Sequence, residues 1–158
     1  FNKIKIMNML KIGDVVPKNK FFDNLGNTHS FEDYKGSKII LFFYPRANTP
    51  GCTAQACNLR DNYQKLIEKG YTVFGVSADN VSQQNRFSEK YSFQYLLIAD
   101  NEKDLINAFG VWGPKKFQGR EYQGIHRTTF LIDENGVITN VINKVKTKDH
   151  AAQILNEG

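Results

Sequence analysis

Cysteine is scarce in this chain, with two in 158 residues. Two cannot staple a small secreted scaffold, so a reducing, cytoplasmic setting is expected. Long apolar runs are missing as well. No segment approaches the ~20 residues that a membrane-spanning helix needs, so no membrane association is expected. No internal repeat, low-complexity tract or linker is visible, which argues against a repeat array or a string of domains. No apolar segment followed by a small-residue cleavage site marks a signal peptide. Histidine is limited to His29, His126 and His150. These are scattered, and no second ligand pair accompanies the two cysteines, so no metal is expected.

Acidic residues are outnumbered, 16 against 21 lysines and arginines, for a net charge of +5. Such a surplus raises the question of nucleic acid, and its distribution answers it. Residues 1–20 carry Lys3, Lys5, Lys11, Lys18 and Lys20 against Asp14 alone, so four of the five surplus charges sit there. A binding groove needs basic charge clustered on the folded body. Nucleic-acid binding is therefore not expected. The chain opens FNKIKIMNML without a Met in first place. The expectation is a basic N-terminal arm or an added segment over residues 1–8, with Met7 or Met9 as native starts. Residues 9–158 form a single domain, long enough to bury a sizeable core.

What is present alternates between strand and helix. KIILFFY (38–44) is a short continuous apolar run, suited to a strand buried on both faces. TAQACNLRDNYQKLIEKG (53–70) reads as one helix, with Ala56, Leu59, Tyr63, Leu66 and Ile67 at helical spacing and Gly70 as its stop. YTVFGVSAD (71–79) and YLLIAD (95–100) read as strands. SQQNRFSEKY, with Ser82 near its start, and EKDLINAFG, ending at Gly110, read as helices. Two β-rich runs flank DENG, and its Asn-Gly pair predicts a hairpin with positive φ in the turn. FFDNLGNTHSF predicts a small N-terminal hairpin. TKDHAAQILNE predicts a closing helix capped by Thr147. Trp112, in GVWGPKK, reads as a loop aromatic packed on the body. The early strand–helix–strand units imply parallel pairing and the late hairpin adds antiparallel strands. The predicted fold class is α/β, a mixed central sheet with helices on both faces and a small N-terminal hairpin.

Both cysteines fall in FFYPRANTPGCTAQAC (42–57). Cys52 follows the first buried strand and opens the next helix. Sites in open α/β sheets gather beyond the carboxyl ends of strands. A helix N-terminus offers unpaired N–H groups and partial positive charge, which favour a thiolate. Cys52 is therefore predicted to be reactive rather than a small buried hydrophobe. Cys57 lies five residues on. On an ideal helix that separates the two Cα atoms by ~8–9 Å, beyond the ~7 Å that a disulfide tolerates. The two sulfurs can bond only if the first turns of the helix unwind, which suggests a redox cycle rather than a passive staple.

The segment PRANTPGCTAQAC resembles the active-site segment of the peroxiredoxins, and most closely their bacterioferritin-comigratory, or Q-type, branch. The general pattern of that family is Pro, three residues, Thr or Ser, two residues, Cys. Here it falls on Pro45, Thr49 and Cys52. TPGCT with a second cysteine five residues on is the mark of the branch. The resemblance runs from LKIGDVVP through FGVSAD and FGVWGPKK to GIHRTTFLIDENG. It implies a thioredoxin-like fold and reduction of hydrogen peroxide and organic hydroperoxides without a cofactor. Cys52 would attack the peroxide and become a sulfenic acid, Cys57 would resolve it to a disulfide, and a thioredoxin-type dithiol would recycle both. Arg127 would stabilise the thiolate and polarise the O–O bond. Thr49 would place its hydroxyl against the thiolate and the peroxide, and Pro45 would shield the site from water. Backbone N–H groups near Gly51 and Cys52 would help hold the departing oxygen. The resemblance further implies a monomer. Two other readings stand beside it. One is a thiol–disulfide oxidoreductase acting on proteins, for which the usual C-x2-C is absent. The other is a non-enzymatic module that binds through the basic arm.

Overall fold

The run KIILFF becomes the central strand, and its side chains go alternately to two cores. A computed structural model describes residues 8–157. In it β3 (Lys38–Phe43) sends Ile39, Leu41 and Phe43 into one apolar cluster and Ile40 and Phe42 into another. A strand with no solvent face has no polar positions to alternate with, which is why the run is continuous. Its neighbours are β4 (Tyr71–Ser77), parallel to it, and β8 (Thr128–Ile132), antiparallel. β5 (Leu96–Ala99) extends the parallel side and β9 (Ile138–Ile142) the antiparallel side, in the order β5-β4-β3-β8-β9.

One face of this mixed sheet carries the N-terminal hairpin of β1 (Lys20–Phe22) and β2 (Thr28–Ser30), with helix α4 (Asp104–Phe109) beside it. The other face carries α1 (Pro50–Asp61), α2 (Tyr63–Glu68), α3 (Val81–Tyr91) and α5 (His150–Glu157). Helices on both faces, the mixed sheet and the small hairpin agree with the predicted fold class. The predicted arm of residues 1–8 falls, but for Asn8, outside the described residues. The Asn8 backbone packs against Gly110, where an added Cβ would collide with its carbonyl oxygen.

Several local expectations need correction. The helix predicted over 53–70 is two helices. Asn62 Nδ2 donates to Asn58 O at 2.8 Å, competing with the backbone for that carbonyl, and Asn62 leaves helical geometry at φ −112°, ψ 15°. The break turns Ile67 outward, 38% exposed, rather than into the core. The α3 cap is Asn80 rather than Ser82. Gln83 N–H donates to Asn80 Oδ1 and Asn80 N–H to Gln83 Oε1, a reciprocal capping box. Thr147 caps nothing and lies inside a 3-10 turn, Thr147–Asp149, that leads into α5. In the DENG turn only Gly136 takes positive φ, +79°, while Asp133 O accepts from Gly136 N–H and Val137 O from Asp133 N–H.

The largest omission is a third hairpin, β6 (Trp112–Phe117) and β7 (Arg120–Ile125). Trp112 therefore begins a strand and is not a loop residue. The ammonium of Lys103 lies 4.9 Å over its ring. Gln118 at φ +51° and Gly119 at φ +79° make the two-residue turn that matches strand twist.

Candidate active site

The loop after β3 is held from below before it reaches the cysteine. Ala47 N–H donates to Asp79 Oδ2 at 2.7 Å, and Ser77 Oγ donates to the same oxygen at 2.6 Å. The end of β4 thus anchors the loop that follows β3. Asn48 sits in the left-handed region at φ +65°, with Lys90 Nζ and Tyr91 OH each 3.4 Å from its Oδ1. Thr49 is the N-cap of α1, Pro50 fills the first helical position, where no N–H is needed, and Cys52 is the third residue of the helix.

Cys52 is 1% exposed and lies in the cluster with Tyr44 and Ala56. Its sulfur is nonetheless not enclosed by hydrocarbon alone. Arg127 Nη2 donates to Cys52 Sγ at 3.3 Å. Nη1 of the same guanidinium donates to Gln55 Oε1 at 2.6 Å. A Cβ on Gly51 would stand 3.3 Å from Nη2, so the missing side chain lets the guanidinium come down onto the helix start. Arg127 itself lies between the end of β7 and the start of β8.

Thr49 is beside the cysteine, but its hydroxyl proton goes to Arg46 O at 2.9 Å rather than to Cys52. Its oxygen lone pairs are left to accept. Pro45 follows Tyr44 at the end of β3, half-buried. Cys57 is half-buried farther along α1, and burial pushes its thiol up, with Arg60 partly opposing. Neither cysteine is in a disulfide, and α1 runs unbroken through both. The helical spacing that keeps the sulfurs apart is therefore the spacing observed.

Two residues that the sequence reading did not single out join the site. Gln55 is one; three residues beyond Cys52 on a helix is the same face, and that spacing was the available signal. The other is Lys115 on β6, which donates to Ile125 O at 2.8 Å. Burial lowers its pKa, and the Arg127 charge lowers it further, while Cys52 acts the other way. Lys115, Arg127, His126, Asn143 and Lys144 border an open cleft of about 470 Å³. His126 is a structural neighbour: its backbone N–H donates to Val111 O and its ring Nε2 lies 2.9 Å from Pro114 O. Among the described residues no group of three His, Cys, Asp or Glu side chains is placed to hold a metal ion.

Known proteins resemble this chain along nearly its whole length. Residues 12–141 match the AhpC/TSA family. The chain belongs to the AhpC/TSA family. Within that family its curated relatives are peroxiredoxins of the Bcp, or Q-type, branch. It is 43% identical over 150 residues to Peroxiredoxin Bcp of Escherichia coli (strain K12), covering 95% of this chain and 96% of that one. It is 42% identical over 146 residues to Peroxiredoxin Bcp of Bacillus subtilis (strain 168), covering 92% and 93%. Among solved structures, a mutant PrxQ of Xylella fastidiosa superposes with a TM-score of 0.88 at 29% identity, covering 95% of each chain. The bacterioferritin comigratory protein of Xanthomonas campestris, studied for its alkyl peroxide reduction activity, superposes at 0.85 with 27% identity, covering 93% and 96%. The α/β architecture is thus that of thioredoxin-like peroxiredoxins.

Proposed function

We infer that the protein is a thiol peroxidase acting through Cys52 and Cys57. The observation that carries this reading is the Arg127 guanidinium resting on Cys52 Sγ. A cation donating to sulfur favours negative charge there, and the same fork can donate to a peroxide oxygen as the O–O bond polarises. The Cys52 thiolate attacks one oxygen of the hydroperoxide. An S–O bond forms, the O–O bond breaks, and the departing alkoxide or hydroxide takes a proton and leaves as alcohol or water. Thr49 Oγ, already donating to Arg46 O, is suited to accept from the peroxide O–H. Gly51 and Cys52 lie in the first turn of α1, where backbone N–H groups face a developing negative charge. Pro45 limits access of water to the sulfur.

Cys52 is now a sulfenic acid. Once the first turns of α1 unwind, the Cys57 thiolate attacks its sulfur, hydroxide leaves and takes a proton to become water, and a disulfide forms. A dithiol of thioredoxin type supplies two electrons and two protons and restores both thiols. Members of the family use peroxide substrates and such a reductant. A monomer in a reducing, cytoplasmic setting, with no nucleic-acid or membrane partner, completes the reading. No helix among the described residues is long and apolar enough to cross a membrane.

A protein disulfide exchanging directly with Cys52 would have to reach a residue that is 1% exposed. A hydroperoxide oxygen is small enough to do so after a slight opening. That difference in bulk favours peroxidase over protein oxidoreductase. Intact mass after one equivalent of hydrogen peroxide is the test. A loss of two protons, reversed by thioredoxin, is expected. Cys52→Ser should abolish peroxide consumption, and Cys57→Ser should permit the first oxidation without an intramolecular disulfide. Full turnover by Cys52→Ser would sink the assignment.

A further inference from the structure

Cleavage of a peroxide leaves an alkoxide or hydroxide that needs a proton, and most polar groups around Cys52 are not placed to give one. Arg127 does not release a proton within a protein. The Thr49 hydroxyl donates to Arg46 O, and the Thr128 hydroxyl donates to His126 O. The His126 ring spends its Nε2 proton on Pro114 O, which leaves Nδ1 as an acceptor.

Lys115 is placed differently. It stands on β6 opposite Tyr122 of β7, and its stem passes over Gly124, where an added Cβ would lie 3.1 Å from Lys115 Cδ. That path carries Nζ to Ile125 O at 2.8 Å, two residues before Arg127. The tether uses one of the three ammonium donors. Lys115 thus borders the same cleft of about 470 Å³ as Arg127, and no carboxylate lines that cleft to hold the ammonium in an ion pair. Arg127 in turn covers Cys52 Sγ through Nη2. The cleft is the open space beside the guanidinium that a hydroperoxide on the sulfur must meet.

Electrostatics times the release. Burial lowers the Lys115 pKa and the Arg127 charge lowers it further, while the Cys52 charge holds the proton in place. Conversion of a thiolate to a neutral sulfenic acid removes that opposing charge and leaves both lowering influences. The ammonium becomes a readier donor as the O–O bond breaks.

We propose that Lys115 is a catalytic residue, the general acid that protonates the departing oxygen. The proposal rests on the peroxidase reading above. As the Cys52 sulfur bonds to one oxygen, the O–O electron pair goes to the other oxygen, and a proton passes to it from Lys115 Nζ. Water or alcohol leaves. Lys115, now a neutral amine, takes a proton back from solvent.

Stopped-flow oxidation of the reduced full chain by two oxidants isolates that proton. Hydrogen peroxide expels hydroxide, which needs it. Peracetic acid expels acetate, which does not. Lys115→Met is expected to slow oxidation by hydrogen peroxide about a hundredfold, as loss of a positioned acid does, and oxidation by peracetic acid by about threefold or less. Peracetic acid also reports whether the variant still forms its site. Lys115→Arg keeps the charge and gives up the acid, so it decides between the two. The same split between oxidants in Lys115→Arg supports proton transfer. Equal slowing by both oxidants in that variant, or slowing by neither, overturns the proposal. Hydrogen peroxide consumption by Cys52→Ser would instead overturn the peroxidase reading itself.

Discussion

Lowering the pH should destabilise this protein through His150, and the size of the effect can be worked from its contacts. His150 is completely buried at the start of α5. Its Nδ1 lies 2.8 Å from Gln153 Oε1 and its Nε2 lies 2.7 Å from Thr129 Oγ1. The Gln153 amide is oriented independently, because Oε1 also accepts from Lys146 N–H and Nε2 donates to Lys144 O. Nδ1 must therefore carry the proton, and Nε2 accepts from the Thr129 hydroxyl. A second proton at Nε2 would meet that hydroxyl and have no water. Burial lowers the pKa from 6.5 to about 4, the Gln153 bond opposing and the Arg127 charge adding to the decrease. In the unfolded chain the imidazole takes up its proton near 6.5; in the folded chain it resists until about 4. Within that window the unfolded state binds more protons, so stability falls as pH falls. At ~1.4 kcal/mol per pH unit the full loss is about 3 kcal/mol. Carboxylates such as Asp23, whose pKa is lowered in the folded state, add to the same trend. A difference measurement removes them. Urea unfolding of reduced wild type and His150→Gln should show a stability gap that narrows by about 2–3 kcal/mol from about pH 7.5 to about pH 4.5. A gap independent of pH would refute the reasoning.

Two further outcomes follow from single contacts. Gly51→Ala should keep or slightly raise thermal stability, since Gly51 is helical without positive φ and alanine favours helix by ~0.5 kcal/mol. Its Cβ would nevertheless press on Arg127 Nη2 from 3.3 Å, so peroxide oxidation of Cys52, followed by stopped flow, should slow by about threefold to tenfold. Tyr44→Phe removes the hydroxyl that donates to Gln84 Oε1 at 2.6 Å and leaves that buried oxygen unmet. Urea unfolding should register a loss of about 1–3 kcal/mol.

What could be read from the sequence was what local pattern determines. β3 was legible because a strand buried on both faces is uniformly apolar, and the DENG hairpin because its turn chemistry is local. Cys52 and Cys57 were legible because their spacing on one helix already limits their chemistry. The β6–β7 hairpin was not legible. Pro114, Lys115 and Lys116 break the apolar alternation of a strand, and Gln118-Gly119 is a weaker turn signal than Asn-Gly. Lys115 was missed with it. The split at Asn62 was hidden because a side chain competing for one carbonyl leaves no trace in periodicity. The direction of the Thr49 hydroxyl was unreadable for a similar reason, since Arg46 O becomes its acceptor only when the loop closes. Arg127 was named through family resemblance, and its distance from Cys52 in sequence gave no local hint.

Sheet register explains how that distance is bridged. β3 and β8 are antiparallel, and Phe43 at the end of β3 faces Thr128 at the start of β8. The residues just outside that pair, Tyr44 and Arg127, therefore meet at the same edge of the sheet, where α1 begins. Because side chains alternate along a strand, a slip of one residue would carry Arg127 to the opposite face, away from Cys52. Both flanks of Arg127 are pinned against such a slip. His126 N–H donates to Val111 O on one side, and Thr128 Oγ1 donates to His126 O on the other. The guanidinium is thus mounted at the edge of the central sheet, while Cys52, Gln55 and Cys57 all lie on α1, the helix that opens in the proposed cycle. Keeping the cation still while the sulfurs move lets one helix serve both steps. In the proposed cycle, rewinding α1 after reduction would return the thiol to a guanidinium held by the sheet edge.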